Sequence, residues 1–334
     1  MPLAPLRIGL VGAGHFGRYH AIKLAAAARA CLSGVHDRNP NHACAVAAET
    51  AAPHLSLTEL LQASDALIVA VPAAAHHAIA KAALLAGKHV LVEKPIAATL
   101  PEADELAALA AERRLILQVG HLERFSAAYE AMTRHTGRPL YIEATRVAPF
   151  KPRGTDVSVI LDLMIHDLDL VLSLTDSPIE TVDALGAAIA SPHEDVANAR
   201  IRFASGAVAT ITASRVASRT ERRMRIFADT GYLTVDFANR RLTTIRRGEG
   251  QALPGLDGFG IDEASWQDHD ALAAEQAAFV ASVLDGAPVL VDAAAGRRAL
   301  AAALAVADAM ALSRRKMADS GLIQQLQNGI GGGF

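Results

Sequence analysis

The sequence predicts an α/β protein: a parallel sheet covered by helices, followed by an α+β part with a large, mostly antiparallel open sheet. Three observations lead to this prediction. Up to residue 121, short continuous apolar runs alternate with helical patterns. A glycine-rich turn follows the first of these runs. From residue 139 onward the apolar segments become short, β-branched and alternating, with turn signals between them.

The composition is that of a globular protein, with 51% hydrophobic and 20% charged residues in 334. The formal net charge of −3 contains no block of one sign, which argues against nucleic acid as a partner. The two cysteines, Cys31 and Cys44, form no metal-binding or disulfide pattern. We find no signal-peptide pattern and no apolar run near the ~18 residues of a membrane helix. We therefore expect a cytoplasmic protein without a membrane partner.

The first predicted strand leads directly into a glycine-rich turn, Gly12-Ala13-Gly14-His15-Phe16-Gly17. A strand, this turn and a following helix are the fingerprint of a dinucleotide-binding Rossmann domain. Gly12 permits the tight turn, Gly14 lets the backbone approach a pyrophosphate, and Gly17 allows close packing of helix on strand. We also assign His15 and Phe16 to the cofactor. The expected domains are a dinucleotide-binding domain at 1–121 and a substrate-binding, oligomer-forming domain at 122–334.

The second predicted strand, 30–36, ends at Asp37, about 20 residues past the glycine turn. A carboxylate there would accept the hydroxyls of the adenosine ribose and repel a 2′-phosphate, which favours NAD over NADP. Arg38 leaves NADP open, because its guanidinium could stack on adenine or pair with a 2′-phosphate. Asp37 could instead be a solvated residue that opens a turn.

Polar residues collect where the later strands of the parallel sheet end. These strands are predicted at 66–71, 89–92 and 115–119. Ligands of a parallel sheet bind at the carboxyl ends of its strands. The cofactor contacts assigned to this edge are Val71, Pro72, His76, Glu93, Lys94 and Gln118.

Lys94 is the most informative of these residues. It follows a buried strand directly and lies beside Glu93, whose charge offsets its own. Pro95 excludes a helical backbone at the preceding residue and permits a cis peptide bond. The alternative is a surface lysine that opens a turn.

Residues 157–173 have apolar side chains at the spacing of an amphipathic helix. Asp162 and His166, on its other stripe, are four residues apart and would be neighbours on one face. The carboxylate would orient the imidazole, which suits a histidine that removes a proton from an alcohol. Two alternatives stay open: a solvated face with an ordinary ion pair, and a metal site of Asp162, His166 and Asp169, although no further ligand cluster accompanies them.

The second part is predicted to be mainly strands, with two helices near the end. Strands are expected at 139–147, 180–189, 195–204, 206–215, 221–228, 231–237 and 240–246, a loop at 247–265, and helices at 268–284 and 292–314. Strands such as 207–212 leave one sheet face that helices need not cover. We expect this face to form a homodimer or homotetramer.

The order of these motifs resembles the Gfo/Idh/MocA family of dehydrogenases. The matching stretches are Gly12 to His20, Val71-Pro72 with His76, Ala86 to Pro95, and Asp162-x-x-x-His166-Asp167-x-Asp169. The resemblance implies that Lys94, His166 and Asp162 are catalytic. The chain departs from the family at Ala73 and Ala78, where Asn and Glu are common.

A glycine triplet usual before the catalytic helix is replaced by Thr155-Asp156-Val157-Ser158. With the stretch 118–125, this replacement resembles the UDP-N-acetylglucosamine 3-dehydrogenase subgroup. The resemblance implies NAD-dependent oxidation of a secondary hydroxyl, at C3 of a nucleotide-linked amino sugar. His166 would remove the hydroxyl proton, and Lys94 would stabilise the alkoxide charge.

Basic side chains would suit the diphosphate of such a substrate. The residues assigned to the substrate, besides Asp162 and His166, are His121, Arg124, Lys151 and Arg153. No metal is assigned. Two other functions stay open: a dehydrogenase or reductase of a free polyol, cyclitol or aldose, and a non-catalytic NAD-sensing regulator on the same fold.

Overall fold

A computed structural model describes residues 4–152, 154–155, 157–267 and 269–320. Its contacts divide the described chain into two units: residues up to 130 with 269–300, and residues 131–267 with those from 301. The sequence predicted a single domain boundary, at residue 121. In the structure, residues 269–300 also belong to the first unit, because Phe279 and Val280 are buried in the core of that unit. In the described part of the chain, no helix has both the length and the apolar character needed to cross a membrane.

The first unit is built on a parallel sheet, as predicted. Its strands are β1 (Leu6–Val11), β2 (Ala30–His36), β3 (Ala66–Val69), β4 (His89–Glu93) and β5 (Leu117–Gly120). They stand in the order β2-β1-β3-β4-β5, and every neighbouring pair is parallel. All residues of β3 and β5 are buried, which explains why both are apolar except for Gln118 in β5.

Helices connect and cover these strands. They are α1 (His15–Ala25), α2 (Pro40–Thr50), α3 (Leu57–Ala63), α4 (His76–Leu85), α5 (Leu100–Arg113) and, late in the chain, α8 (Ala271–Asp285). Local sequence fixes where some of them begin. Ser56 and Thr99 each form a capping box with a glutamate three residues later, Glu59 and Glu102. Such a cap contributes about 1 kcal/mol to helix stability. Two further helices, α6 (Ala127–His135) and α9 (Ala293–Asp319), run from one unit into the other.

The second unit contains a nine-stranded sheet. Its strands are β6 (Pro139–Val147), β7 (Ile179–Ala187), β8 (Val196–Phe203), β9 (Val208–Ser214), β10 (Glu221–Ala228), β11 (Gly231–Asp236), β12 (Arg241–Arg247), β13 (Gln251–Ala252) and β14 (Phe259–Ser265). The order is β13-β14-β12-β11-β10-β6-β9-β8-β7, and only β6 and β9 pair in parallel. The predicted mostly antiparallel sheet is confirmed. A helical segment, a π-helical turn (Ile160–Met164) continued by α7 (Ile165–Thr175), packs on β6 and β9.

The prediction of a loop at 247–265 was wrong. β13 and β14 lie there, and β14 pairs with β12 along its whole length. Most of β14 is exposed, including the acidic Asp262 and Glu263. A strand so near a sheet edge lacks the apolar alternation that announces a buried strand.

One face of the nine-stranded sheet carries an aromatic cluster. Tyr141, Phe227 and Tyr232 form it, with ring centroids 5.9 and 4.7 Å apart along the row. The neighbouring Ile142 and Ile226 point to the opposite, buried face. Phe227 is 45% exposed. An oligomer formed through this face stays a prediction.

Candidate active site

The glycine turn has the geometry that its three glycines predict. Gly12 has a φ of +98°, and a Cβ there would lie 2.5 Å from the carbonyl oxygen of Ala70. A Cβ on Gly17 would overlap the carbonyl oxygen of Gly12. At Gly14, the N-cap of α1, no atom lies within 4 Å of the Cβ position. This open space at a helix N-terminus fits the pyrophosphate of a dinucleotide.

Asp37 lies against this turn at the end of β2. One carboxylate oxygen accepts from the Ala13 amide at 2.6 Å, and the other accepts from the Asn39 amide at 2.7 Å. The half-buried carboxylate is therefore fixed beside the glycine turn. Arg38 is exposed next to it.

The other surface positions assigned to the cofactor lie on neighbouring segments of the first unit. His15 and Phe16 are exposed on the first turn of α1, where the Phe16 ring contacts the His20 ring edge-on at 5.2 Å. Val71 and Pro72 follow β3. Val71 is half-buried and Pro72 is exposed. These four residues are accessible to a ligand.

His76, Glu93 and Gln118, which were also assigned to the cofactor, have buried side chains. His76 is 1% exposed and Gln118 is fully buried, with its amide donating to the carbonyl oxygen of Glu275 at 3.2 Å. The sequence placed all three near strand ends but could not tell which way each side chain points. His76 and Gln118 bond backbone carbonyl oxygens, and Glu93 bonds the His20 side chain. Their contacts with a cofactor stay a prediction.

His76 ties two strand ends together. Its Nδ1 lies 2.6 Å from the Pro95 carbonyl oxygen, and its Nε2 lies 2.8 Å from the Val71 carbonyl oxygen. Burial lowers the pKa of the imidazole, while the two carbonyl contacts oppose that shift. Lys94, half-buried, immediately precedes one of these tied residues, and the Lys94–Pro95 peptide bond is cis. The turn that presents Lys94 is thus anchored to the end of β3.

Glu93 belongs to a buried polar cluster that the sequence did not reveal. Gln276 Nε2 donates to both Nδ1 and the carbonyl oxygen of His20, at 3.0 and 3.1 Å. The imidazole proton must then be on Nε2, which donates to Glu93 at 2.9 Å. Glu275 is fully buried, and neither carboxylate oxygen has a hydrogen-bond partner among the described residues. Burial, with the charge of Glu93, raises the pKa of Glu275 well above its ordinary value.

This cluster is the one place in the described residues where three potential metal ligands converge. The ligand atoms of His20, Glu93 and Glu275 lie within 4.8 Å of one another. The imidazole has no free lone pair, however, because Nδ1 accepts from Gln276 and Nε2 carries the proton. We therefore interpret Glu275 as a buried carboxyl group that keeps its proton beside Glu93, and we assign no cation site to the cluster.

Asp162 and His166 lie on the helical segment of the second unit. The predicted helix at 157–173 is not regular, since Ile160–Met164 forms a π-helical turn before α7. The amides of Leu161 and Asp162 both donate to the Ser158 carbonyl oxygen at 3.1 Å. Asp162 and His166 are half-buried. Wide turns of this kind recur at functional sites, where they re-aim the side chains of a helix.

Two aspartates on α7 are buried, although Asp169 was predicted to lie on the polar stripe of the helix. Asp169 is 3% exposed. Asp167, also 3% exposed, accepts from Arg146 Nε and Nη2 at 2.8 and 3.0 Å. This buried bidentate pair fixes α7 to β6, and the sequence analysis did not find it. The sequence signal that could have predicted this pair is Asp167 itself, an acidic residue among the apolar residues of the helix.

The residues assigned to the substrate are distributed over both units. His121 is 1% exposed, and Arg124 is half-buried with its guanidinium 4.9 Å from the Tyr129 ring centroid. Lys151 is exposed. Arg153 lies outside the described residues. Their contacts with a substrate stay a prediction.

Comparisons with known proteins agree with this geometry. Residues 6–121 match the family model of oxidoreductases with an NAD-binding Rossmann fold, Gfo/Idh/MocA, and residues 130–234 match the C-terminal domain of the same family. The UDP-N-acetylglucosamine 3-dehydrogenase of Acidithiobacillus ferrooxidans is 43% identical over 90% of this chain and 96% of its own. A solved structure of that enzyme superposes with a TM-score of 0.87, covering 92% of this chain and 98% of that one.

More distant relatives share part of the sequence or the fold. An inositol 2-dehydrogenase of Acidothermus cellulolyticus is 35% identical over 54% of this chain and 56% of its own. The scyllo-inositol dehydrogenase of Lactobacillus casei, 23% identical, has the same fold with a TM-score of 0.79 over 94% of this chain and 98% of that one. The glycine turn, the parallel sheet and these matches together place the chain in the Gfo/Idh/MocA family of NAD-binding oxidoreductases.

Proposed function

We propose that this protein oxidises the C3 hydroxyl of UDP-N-acetylglucosamine with NAD⁺. The observation that carries the proposal is the 43% identity to the UDP-N-acetylglucosamine 3-dehydrogenase of Acidithiobacillus ferrooxidans, over 96% of the length of that enzyme. The inositol 2-dehydrogenase of Acidothermus cellulolyticus is aligned with little more than half of the chain. Because one fold hosts many substrates, the residues of the site must support the assignment as well.

Asp162, His166 and Lys94 support alcohol oxidation. NAD⁺, when bound, supplies the hydride acceptor. His166 takes the proton of the substrate hydroxyl, and Asp162, one turn earlier, stabilises the imidazolium that forms. Lys94 donates to the same oxygen and stabilises its developing negative charge. Lys94 belongs to the first unit, and Asp162 and His166 belong to the second.

Asp37 supports NAD as the cofactor rather than NADP. Two backbone amides fix its carboxylate beside the glycine turn. A fixed negative charge at this position accepts ribose hydroxyls and repels a 2′-phosphate. The pyrophosphate would occupy the open space at Gly14, on the N-terminus of α1.

The nucleotide part of the substrate is assigned to a set of basic or polar side chains. A diphosphate pairs well with cations, above all with guanidinium groups. Arg124 is already oriented by its stacking on Tyr129. The full set is His121, Arg124, Lys151 and Arg153.

NADH formation with a panel of substrates tests the proposal. The panel contains UDP-N-acetylglucosamine, free N-acetylglucosamine and myo-inositol, each with NAD⁺ or NADP⁺. We expect turnover with the UDP-sugar and NAD⁺. Turnover of the free sugar or polyol alone would identify a polyol or aldose dehydrogenase instead. NAD⁺ binding without turnover of any substrate would point to a regulatory protein.

A further inference from the structure

A buried arginine holds the loop that precedes the helix bearing Asp162 and His166. Arg215 follows β9 directly and is 4% exposed. Its Nη1 donates to two carbonyl oxygens of this loop, those of Gly154 at 2.6 Å and Val157 at 2.9 Å. One guanidinium nitrogen therefore fixes two points of the loop, three residues apart.

Asp195 in turn fixes the guanidinium. The carboxylate is fully buried and accepts from Arg215 Nε at 2.7 Å. Its other oxygen accepts from the amides of Ile189, Ala190 and Ser191. Ser191 Oγ accepts from Arg215 Nη2 at 2.8 Å and donates to Asp195 at 2.7 Å. Four of the five guanidinium N–H groups thus have acceptors.

This network is charged despite its burial. Burial opposes ionisation of Asp195, but the Arg215 guanidinium, two backbone amides and the Ser191 hydroxyl outweigh it and hold the pKa of the carboxyl below its ordinary value. A buried pair of this kind contributes geometry more dependably than stability. We therefore ask which segment the Asp195–Arg215 pair positions.

The loop that Arg215 holds lies directly against Asp162. Gly154 has a φ of +69°, and a Cβ built there would lie 3.1 Å from Oδ2 of Asp162. At the end of the loop, the Ser158 carbonyl oxygen accepts the amides that begin the helical segment. Movement of the loop would therefore move the Asp162 carboxylate.

We propose that Arg215, anchored by Asp195, is a positioning residue that sets the Asp162 carboxylate relative to His166. The inference rests on the catalytic roles proposed for Asp162 and His166. Arg215 itself contacts loop carbonyl oxygens and acts only through the loop. Lysine keeps the charge but cannot donate to Asp195 and two carbonyl oxygens at once.

The test compares Arg215→Lys with Gly154→Ala, which crowds Asp162 while leaving the ion pair intact. We expect both variants to lose about tenfold or more in kcat, because displacing a catalytic group by 1 Å is that costly. KM for NAD⁺ should stay unchanged. In both, the NMR titration midpoint of the His166 imidazole should move from its wild-type value.

Ile201→Ala serves as the control, because Ile201 is buried in β8 of the same unit and its apolar side chain takes no part in the hydrogen bonds that hold the loop. It should lower Tm while leaving kcat and the His166 titration unchanged. Wild-type kcat and titration in Arg215→Lys, or the same losses in Ile201→Ala, would overturn the inference. If Arg215→Lys fails to fold, Asp195→Asn takes its place with the same expected losses, because it weakens the anchor of the guanidinium and leaves every loop residue unchanged. The titration needs no substrate, so it still tests the positioning role if the wild-type protein turns over no UDP-sugar.

Discussion

Glu275→Gln is expected to stabilise the protein at neutral and alkaline pH. Glu275 is fully buried, lies close to Glu93 and His20, and has no hydrogen-bond donor among the described residues. Its pKa is raised, so the folded protein keeps a proton that the unfolded chain releases above pH 4.5. Wild-type stability must then fall as pH rises above that value, up to the folded pKa. Glutamine has the shape of the neutral acid and does not titrate.

The expected size of the pH effect on stability follows from one proton, which the folded protein binds and the unfolded chain does not. Such a difference changes the free energy of unfolding by at most about 1.4 kcal/mol per pH unit. Urea unfolding at several values from about pH 5 to about pH 8 measures it, since the wild type and the variant should agree near the ordinary glutamate pKa and diverge above it. Glu112→Gln is the matched control, because Glu112 is exposed on α5. A stability difference independent of pH, or a variant less stable than wild type at the alkaline end, would refute the interpretation of Glu275 as a buried acid that keeps its proton.

Three further predictions concern the cofactor and the open sheet face. Gly17→Ala should lower Tm and abolish NAD⁺ binding, because the added Cβ would overlap the Gly12 carbonyl oxygen. Gly14→Ala should keep the wild-type Tm and only weaken NAD⁺ binding. Thermal unfolding measures Tm and calorimetry measures NAD⁺ binding, so together they separate the two variants. Asp37→Ala should reduce the preference for NAD⁺ over NADP⁺ by about tenfold or more, measured as a ratio of kcat/KM, and an unchanged ratio would remove Asp37 as the discriminating residue. Phe227→Asp should lower the mass found by light scattering, and an unchanged oligomer would place the interface elsewhere.

The parallel sheet was predictable because its central strands are buried on both faces. Residues 66–71 were predicted as a strand, and the fully buried β3 lies there. The second sheet was readable wherever one face is buried, as at 139–147 and 221–228. β14 could not be found in this way, because it is largely exposed and acidic. Burial, rather than strand pairing itself, is what leaves a pattern in the sequence.

The site was predictable in residue types but not in side-chain direction. The glycine turn and Asp37 depend on residues close in sequence, and the structure places them together. Gln118 was assigned to the cofactor, but the direction of its side chain depends on α8, which lies more than 150 residues later. Arg215, at one end of the β8–β9 hairpin, likewise bonds a loop 58 or more residues earlier in the chain. Contacts at such separations follow from the tertiary fold.

Transfer of a deuterium label tests the central claim most directly. UDP-N-acetylglucosamine deuterated at C3 is incubated with NAD⁺, and the reduced cofactor is analysed by mass spectrometry. The proposed reaction predicts that the deuterium appears in the cofactor, and that His166→Ala loses turnover by about 10²- to 10⁴-fold while still binding NAD⁺. Unlabelled NADH from this substrate, or wild-type turnover by His166→Ala, would contradict oxidation at C3 with His166 as the base.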